Sequence, residues 1–76
     1  MNALTAVFEQ VDGWWIGYVE ELPGANVQAE TIEDARRDLR DAVELVLEAN
    51  RDMARRDAAG KNVIREELVL RDKHAA

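Results

Sequence analysis

The sequence predicts an α+β domain of order β-β-β-α-β: a three-strand antiparallel meander, one long helix packed on one sheet face, and a fourth strand. Three observations predict it. Asp12-Gly13 separates two runs rich in β-branched and aromatic residues, a capping-box pattern opens a segment with three- and four-residue apolar spacing, and VIREELVL follows as a short apolar run after Gly60.

Residues 3–11, ALTAVFEQV, read as the first strand, and WWIGYVE at 14–20 as the second. Asp12 and Gly13 between them form a two-residue hairpin signal, since both central positions of a type I′ turn need positive φ. Leu22-Pro23-Gly24 ends the second strand: proline has no N–H to give a ladder, and glycine permits the reversal. NVQAE at 26–30 is a short third strand. Thr31-Ile-Glu-Asp34 then matches a capping box, in which the Thr31 hydroxyl accepts from an amide three residues on and the acids favour the helix dipole. Ile32, Ala35, Leu39, Ala42, Val43, Val46 and Met53 form the apolar stripe of an amphipathic helix that can persist to Ala59, with Gly60 as its stop. At ~1.5 Å per residue that helix reaches ~42 Å, against roughly 27 Å for an eight-residue strand, so the polar piece from Asn50 to Asn62 must project or break. Residues 63–70 are the expected fourth strand, delivered by a right-handed crossover to lie parallel to the first. A disordered tail is expected at 71–76.

Seventy-six residues make one domain. A domain of this size buries a small share of its surface, and with no cysteine there is neither a disulfide nor a thiolate metal site to reinforce it. Oligomerisation, to a dimer or larger, is the remaining supplement. The composition, 47% hydrophobic and 34% charged, is that of a globular chain rather than a disordered one. No run approaches the ~18 apolar residues of a membrane span and no leader pattern opens the chain, so a cytoplasmic protein that does not engage membranes is expected.

The net charge of −6 is unevenly placed. Residues 1–30 hold Glu9, Asp12, Glu20, Glu21 and Glu30 and no lysine or arginine; every basic residue lies from Arg36 onward. Such a chain repels phosphate backbones, which need clustered cations, so direct nucleic-acid binding is not expected. An acidic N-terminal half suits a basic partner, although charge that serves only solubility would look the same.

Pairing the hairpin through Asp12-Gly13 sets Val11 opposite Trp14, Glu9 opposite Ile16, Phe8 opposite Gly17 and Val7 opposite Tyr18. One face then carries Leu4, Ala6, Phe8, Trp15, Gly17 and Val19, and the large-against-small pairing of Phe8 with Gly17 suits a packed helix. The other carries Val7, Val11, Trp14, Ile16 and Tyr18, with Glu9 and Glu20 at its margins. One helix covers one face. An uncovered patch so rich in aromatics marks an interface, and Trp and Tyr are enriched at binding hot spots. The expected partner or oligomer surface is therefore Val7, Glu9, Val11, Trp14, Ile16, Tyr18, Glu20 and Glu21, while Asp12, Gly13, Leu22, Pro23, Gly24 and Thr31 have structural roles. A homodimer and a hetero-partner both fit this surface, and both can hold together.

The run DGWWIGYVEELPG at 12–24, the helix start TIEDARRDLRDAVEL at 31–45 and the closing REELV at 65–69 resemble the HicB-family antitoxins. The resemblance covers nearly the whole chain. It implies a degraded ribonuclease-H-like domain over 1–70 that dimerises, and that binds and masks a small basic ribonuclease toxin, HicA. Many members add a C-terminal DNA-binding segment; here only 71–76 follow the last strand, as in the stand-alone members, which puts self-repression in doubt. The alternatives are a stand-alone homo-oligomeric relation of those antitoxins with no toxin, and a degenerate nuclease. A neighbouring reading frame encoding a small basic protein separates the first two.

A magnesium nuclease needs several carboxylates converging on one octahedral ion. The candidates are Glu9, Glu44 or Glu48, and Glu66 or Glu67, but the hairpin register puts Glu9 on the face away from the helix. Asp34, Asp38 and Asp41 interleave with Arg36, Arg37 and Arg40, a pattern of solvated helix pairs rather than a nucleic-acid patch. His74 has neither a second histidine nor a cysteine beside it, and Gly60-Lys61 lacks the rest of a phosphate loop. No catalytic residue, metal site or cofactor is expected. Leu45 falls off the helix stripe and fits either a partner contact or simple exposure.

Overall fold

The computed structural model describes residues 3–71. Three strands, β1 (Ala6–Val11), β2 (Trp14–Val19) and β3 (Asn26–Ala29), form an antiparallel sheet in that order, and one helix, α1 (Ile32–Ala58), follows. Of the tail expected at 71–76, residues 72–76 lie outside the described residues, and His74 with them.

The hairpin register is the one that the Asp-Gly turn requires: Val11 pairs with Trp14, Glu9 with Ile16, Phe8 with Gly17 and Ala6 with Val19. Asp12 and Gly13 have φ of 49° and 82°, the left-handed pair whose twist matches that of the flanking strands. The ladder extends one step past β1, where the Glu20 amide donates to the Thr5 carbonyl at 3.0 Å. Beyond β2 the chain turns twice in succession. The Leu22 amide donates to the Val19 carbonyl and the Ala25 amide to the Leu22 carbonyl, with Pro23 exposed and Gly24 at φ 99°. The reversal brings β3 onto β2, with Tyr18 opposite Asn26 and Gly17 opposite Val27.

Thr31 caps α1 in extended conformation, its hydroxyl accepting from the Asp34 amide at 3.1 Å. Glu33 and Asp34 lie in the first turn and Arg55 and Arg56 in the last, each charge opposing the nearby end of the helix dipole. The exposed Arg37 meets both Asp34 and Asp38, at 3.2 and 3.3 Å, a solvated arrangement that adds little stability.

α1 lies over β2 and β3. The buried core is small: Val19, Ala25, Ala29, Ala35 and Leu39, with Phe8, Leu22, Val27, Val43 and Val46 packed partly around it. Gly17 permits this packing, because a Cβ there would fall 2.9 Å from Phe8 Cε1 and 3.1 Å from Val27 Cγ2. Three of these five core residues are alanines and Gly17 is buried beside them, so the sheet–helix layer is thin.

The α+β class and the meander-then-helix order are those expected. The expected fourth strand is not formed: residues 62–71 pair with no strand, and all of them are exposed. The reason is the length of α1. Its 27 residues reach ~40 Å, about twice a six-residue strand, and residues 48–57 are exposed beyond the sheet. Between projecting and breaking, the polar piece projects as helix up to Ala58. The chain then reverses at Gly60, φ 78°, with the Lys61 amide donating to the Ala58 carbonyl at 3.0 Å. Residues 63–65 run back beside the projecting turns, against Arg51, Ala54, Arg55 and Ala58. The resulting radius of gyration is 16.0 Å, where a compact chain of this length has about 11 Å.

Candidate functional site

Alternation along the strands sends Phe8, Trp15, Gly17, Val19, Val27 and Ala29 to the α1 side. The other face is open. Its three cross-strand rows are Val7-Tyr18-Asn26, Glu9-Ile16-Gln28 and Val11-Trp14. Facing side chains in such rows stand about 5 Å apart at Cβ, so the six sequence-predicted residues of β1 and β2 form one continuous surface. Val11, Trp14, Ile16 and Tyr18 are 37–41% exposed, and Val7 is half-buried among them. Asn26 and Gln28 complete the patch with a polar border. They escape a reading of the hairpin alone, and the signal for them is the β2–β3 register, which follows once the Leu22–Gly24 reversal is given its length.

The two tryptophans are thus divided. Trp14 stands on the open face, whereas Trp15 is half-buried on the helix side opposite Ala29. A solvent-facing indole beside Ile16 and Tyr18, with no layer over it among the described residues, is a surface with a large apolar area to gain from a partner.

The acidic margin is divided too. Glu9 sits within the open face and Glu20 follows β2 at its end. Glu21 is engaged within the chain: its Oε1 accepts from the Thr5 amide at 2.7 Å and its Oε2 from the Thr5 hydroxyl at 2.7 Å. These two bonds, the backbone one foremost, hold its carboxyl below its ordinary pKa. Glu21 therefore clamps the entry of β1 to the end of β2. The hairpin register places Thr5 opposite Glu20, so this clamp is visible in retrospect from the pairing.

The carboxylates considered for a metal do not gather. Glu9 is on the open face, away from α1, and no group of three or more His, Cys, Asp or Glu able to hold a metal occurs among the described residues. Leu45 is 67% exposed on α1. Among the described residues no helix is long and apolar enough to cross a membrane.

The chain is similar to the UPF0150 protein ssl0738 of Synechocystis sp., with 41% identity over 46 residues. The match takes in 59% of this chain and 64% of that protein, which makes it a distant and partial homologue. No family model matches the chain. No solved structure matches it either.

Proposed function

We propose that this protein is a HicB-like antitoxin-type binding protein: it covers the active surface of a small basic ribonuclease and performs no chemistry itself. The observation that carries the reading is the uncovered face of Val7, Val11, Trp14, Ile16 and Tyr18, with Glu9 inside it and Glu20 at its edge. Apolar burial around Trp14 supplies affinity, and the acidic N-terminal half steers a cationic partner. The distant similarity to ssl0738 points the same way, since UPF0150 is the HicB-like family. Masking needs neither a metal nor a cofactor, and a cytoplasmic ribonuclease places the pair in the cytoplasm.

A masking protein acts by stoichiometry. Titrated into a ribonuclease of the HicA class, it abolishes RNA cleavage near one protomer per toxin, and chelating magnesium leaves that end point unchanged. Replacing Glu9 and Glu20 by glutamine slows association more than it speeds dissociation, because screening limits the reach of these charges to ~8 Å at physiological salt. Magnesium-dependent cleavage of RNA by this chain alone, lost in Glu66→Gln or Glu44→Gln, would overturn the reading in favour of the nuclease.

The thin core favours a second reading, a stand-alone homo-oligomer without a toxin. In that case the toxin titration has no effect, while sedimentation still shows an oligomer.

A further inference from the structure

We infer that residues 63–70 form the missing fourth strand on the open edge of β1 in a second copy of the chain, so that two copies exchange these segments. Among the described residues, sheet order leaves the outer edge of β1 unpaired. An unpaired edge presents a row of backbone donors and acceptors ready for another strand. Beside that edge, where α1 covers β2 and β3 rather than β1, lies a groove of about 540 Å³ with an apolar floor of Leu4, Ala6, Phe8, Leu39 and Val43. The segment itself is apolar and unsheltered: Ile64 is 90% exposed, Leu68 84%, Val69 71% and Leu70 62%.

The two surfaces match in pattern and in charge. As a strand, 63–70 sends Ile64, Glu66, Leu68 and Leu70 to one side and Val63, Arg65, Glu67 and Val69 to the other. The first set fits the groove, with three apolar side chains over its floor and Glu66 toward a helix rim where Arg36 and Arg40 outnumber the one carboxylate, Glu44. The second set continues the open face beyond Val7 and Val11. A one-residue slip would put Arg65 and Glu67 over the apolar floor, so the register is specified.

Length decides between the same copy and another. Eight strand residues span ~26 Å, and the turns of α1 beyond Leu47 take up ~17 Å of the way back. About three residues would then reach the segment's own sheet. A second copy carries no such overhang between the segment and its edge, and all eight residues can pair there. The exchange also supplies the burial that a chain with five buried core residues lacks.

Sedimentation of the full chain at micromolar concentration, with Leu68→Asp and Trp14→Ala beside it, tests this inference. Because Leu68 is exposed in the single chain, its replacement leaves the fold intact, which far-UV circular dichroism checks. A dimer is expected for the unaltered chain, with its dissociation constant raised roughly tenfold or more by Leu68→Asp and little changed by Trp14→Ala. Mixing isotope-labelled and unlabelled chains should give contacts between the Ile64 or Leu68 methyls and Ala6 or Phe8 across the label boundary. A monomer, a dimer unmoved by Leu68→Asp, or such contacts confined within one chain overturns the exchange. A dimer lost in Trp14→Ala alone also overturns it, since association then runs through the open face; the ribonuclease titration judges the masking reading separately.

Discussion

The two faces of the sheet come from the same three strands, alternate residue by residue, and differ in what they hold. Toward α1 stand Gly17, Val19, Val27 and Ala29, small enough for a helix to settle close, with Phe8 lying over the glycine and the half-buried Trp15 opposite Ala29. Away from α1 stand Trp14, Ile16 and Tyr18, which nothing among the described residues covers. Hydrophobicity alone does not distinguish the two, and each holds a tryptophan; the difference is that small residues, Gly17 and Ala29, stand on the side that α1 covers. A face that meets a helix in the same chain carries small residues at the contact, and these fix one separation. A face of exposed aromatics gains most from a surface that arrives from outside.

Three substitutions break or sharpen that comparison. Leu39→Ala should have the largest effect, about 3 kcal/mol of stability in urea unfolding, because Leu39 is the one large aliphatic side chain of α1 buried in the core. Gly17→Val should cost about 2 kcal/mol, since its first carbon already meets Phe8 and Val27 and the helix side cannot expand without losing contact. On the open face, Trp14→Ala should leave stability within about 0.5 kcal/mol and weaken partner binding by about 2 kcal/mol. If Trp14→Ala unfolds the chain while Trp15→Ala does not, the faces are reversed.

The hairpin was legible because its turn fixes its pairing: once Asp12 and Gly13 occupy the two positive-φ positions, every partner from Val11–Trp14 to Ala6–Val19 follows. The start of α1 was legible for a similar local reason, the Thr31 side chain answering the Asp34 amide. The fate of 63–70 was not. Its apolar pattern is that of a strand, but where it pairs depends on the length of α1 against the sheet, a property of distant parts taken together. The bond of Glu21 to Thr5 was not legible either, because an exposed acid in an acidic stretch gives no local sign of a partner sixteen residues earlier.

That bond yields the smallest effect. Glu21 has a lowered pKa when folded, so its contribution is present above the ordinary glutamate value and is lost as pH falls through the lowered one. The stability advantage of the unaltered chain over Glu21→Gln should therefore shrink on acidification, as parallel urea titrations at neutral and acid pH would show. An advantage independent of pH would mean that the Thr5 clamp does not form in solution.

The division of the tryptophans offers the most direct test of the masking account. The chain has two indole N–H groups, Trp14 on the open face and Trp15 on the helix side, and a nitrogen-15 proton spectrum reports each separately. On saturation with a basic ribonuclease of the HicA class, the Trp14 indole signal should shift or broaden, together with the amides of Val7, Glu9, Ile16 and Tyr18. The Trp15 indole should hold its position. Saturating binding that instead moves Trp15 and the amides of α1, with Trp14 unchanged, would contradict the account.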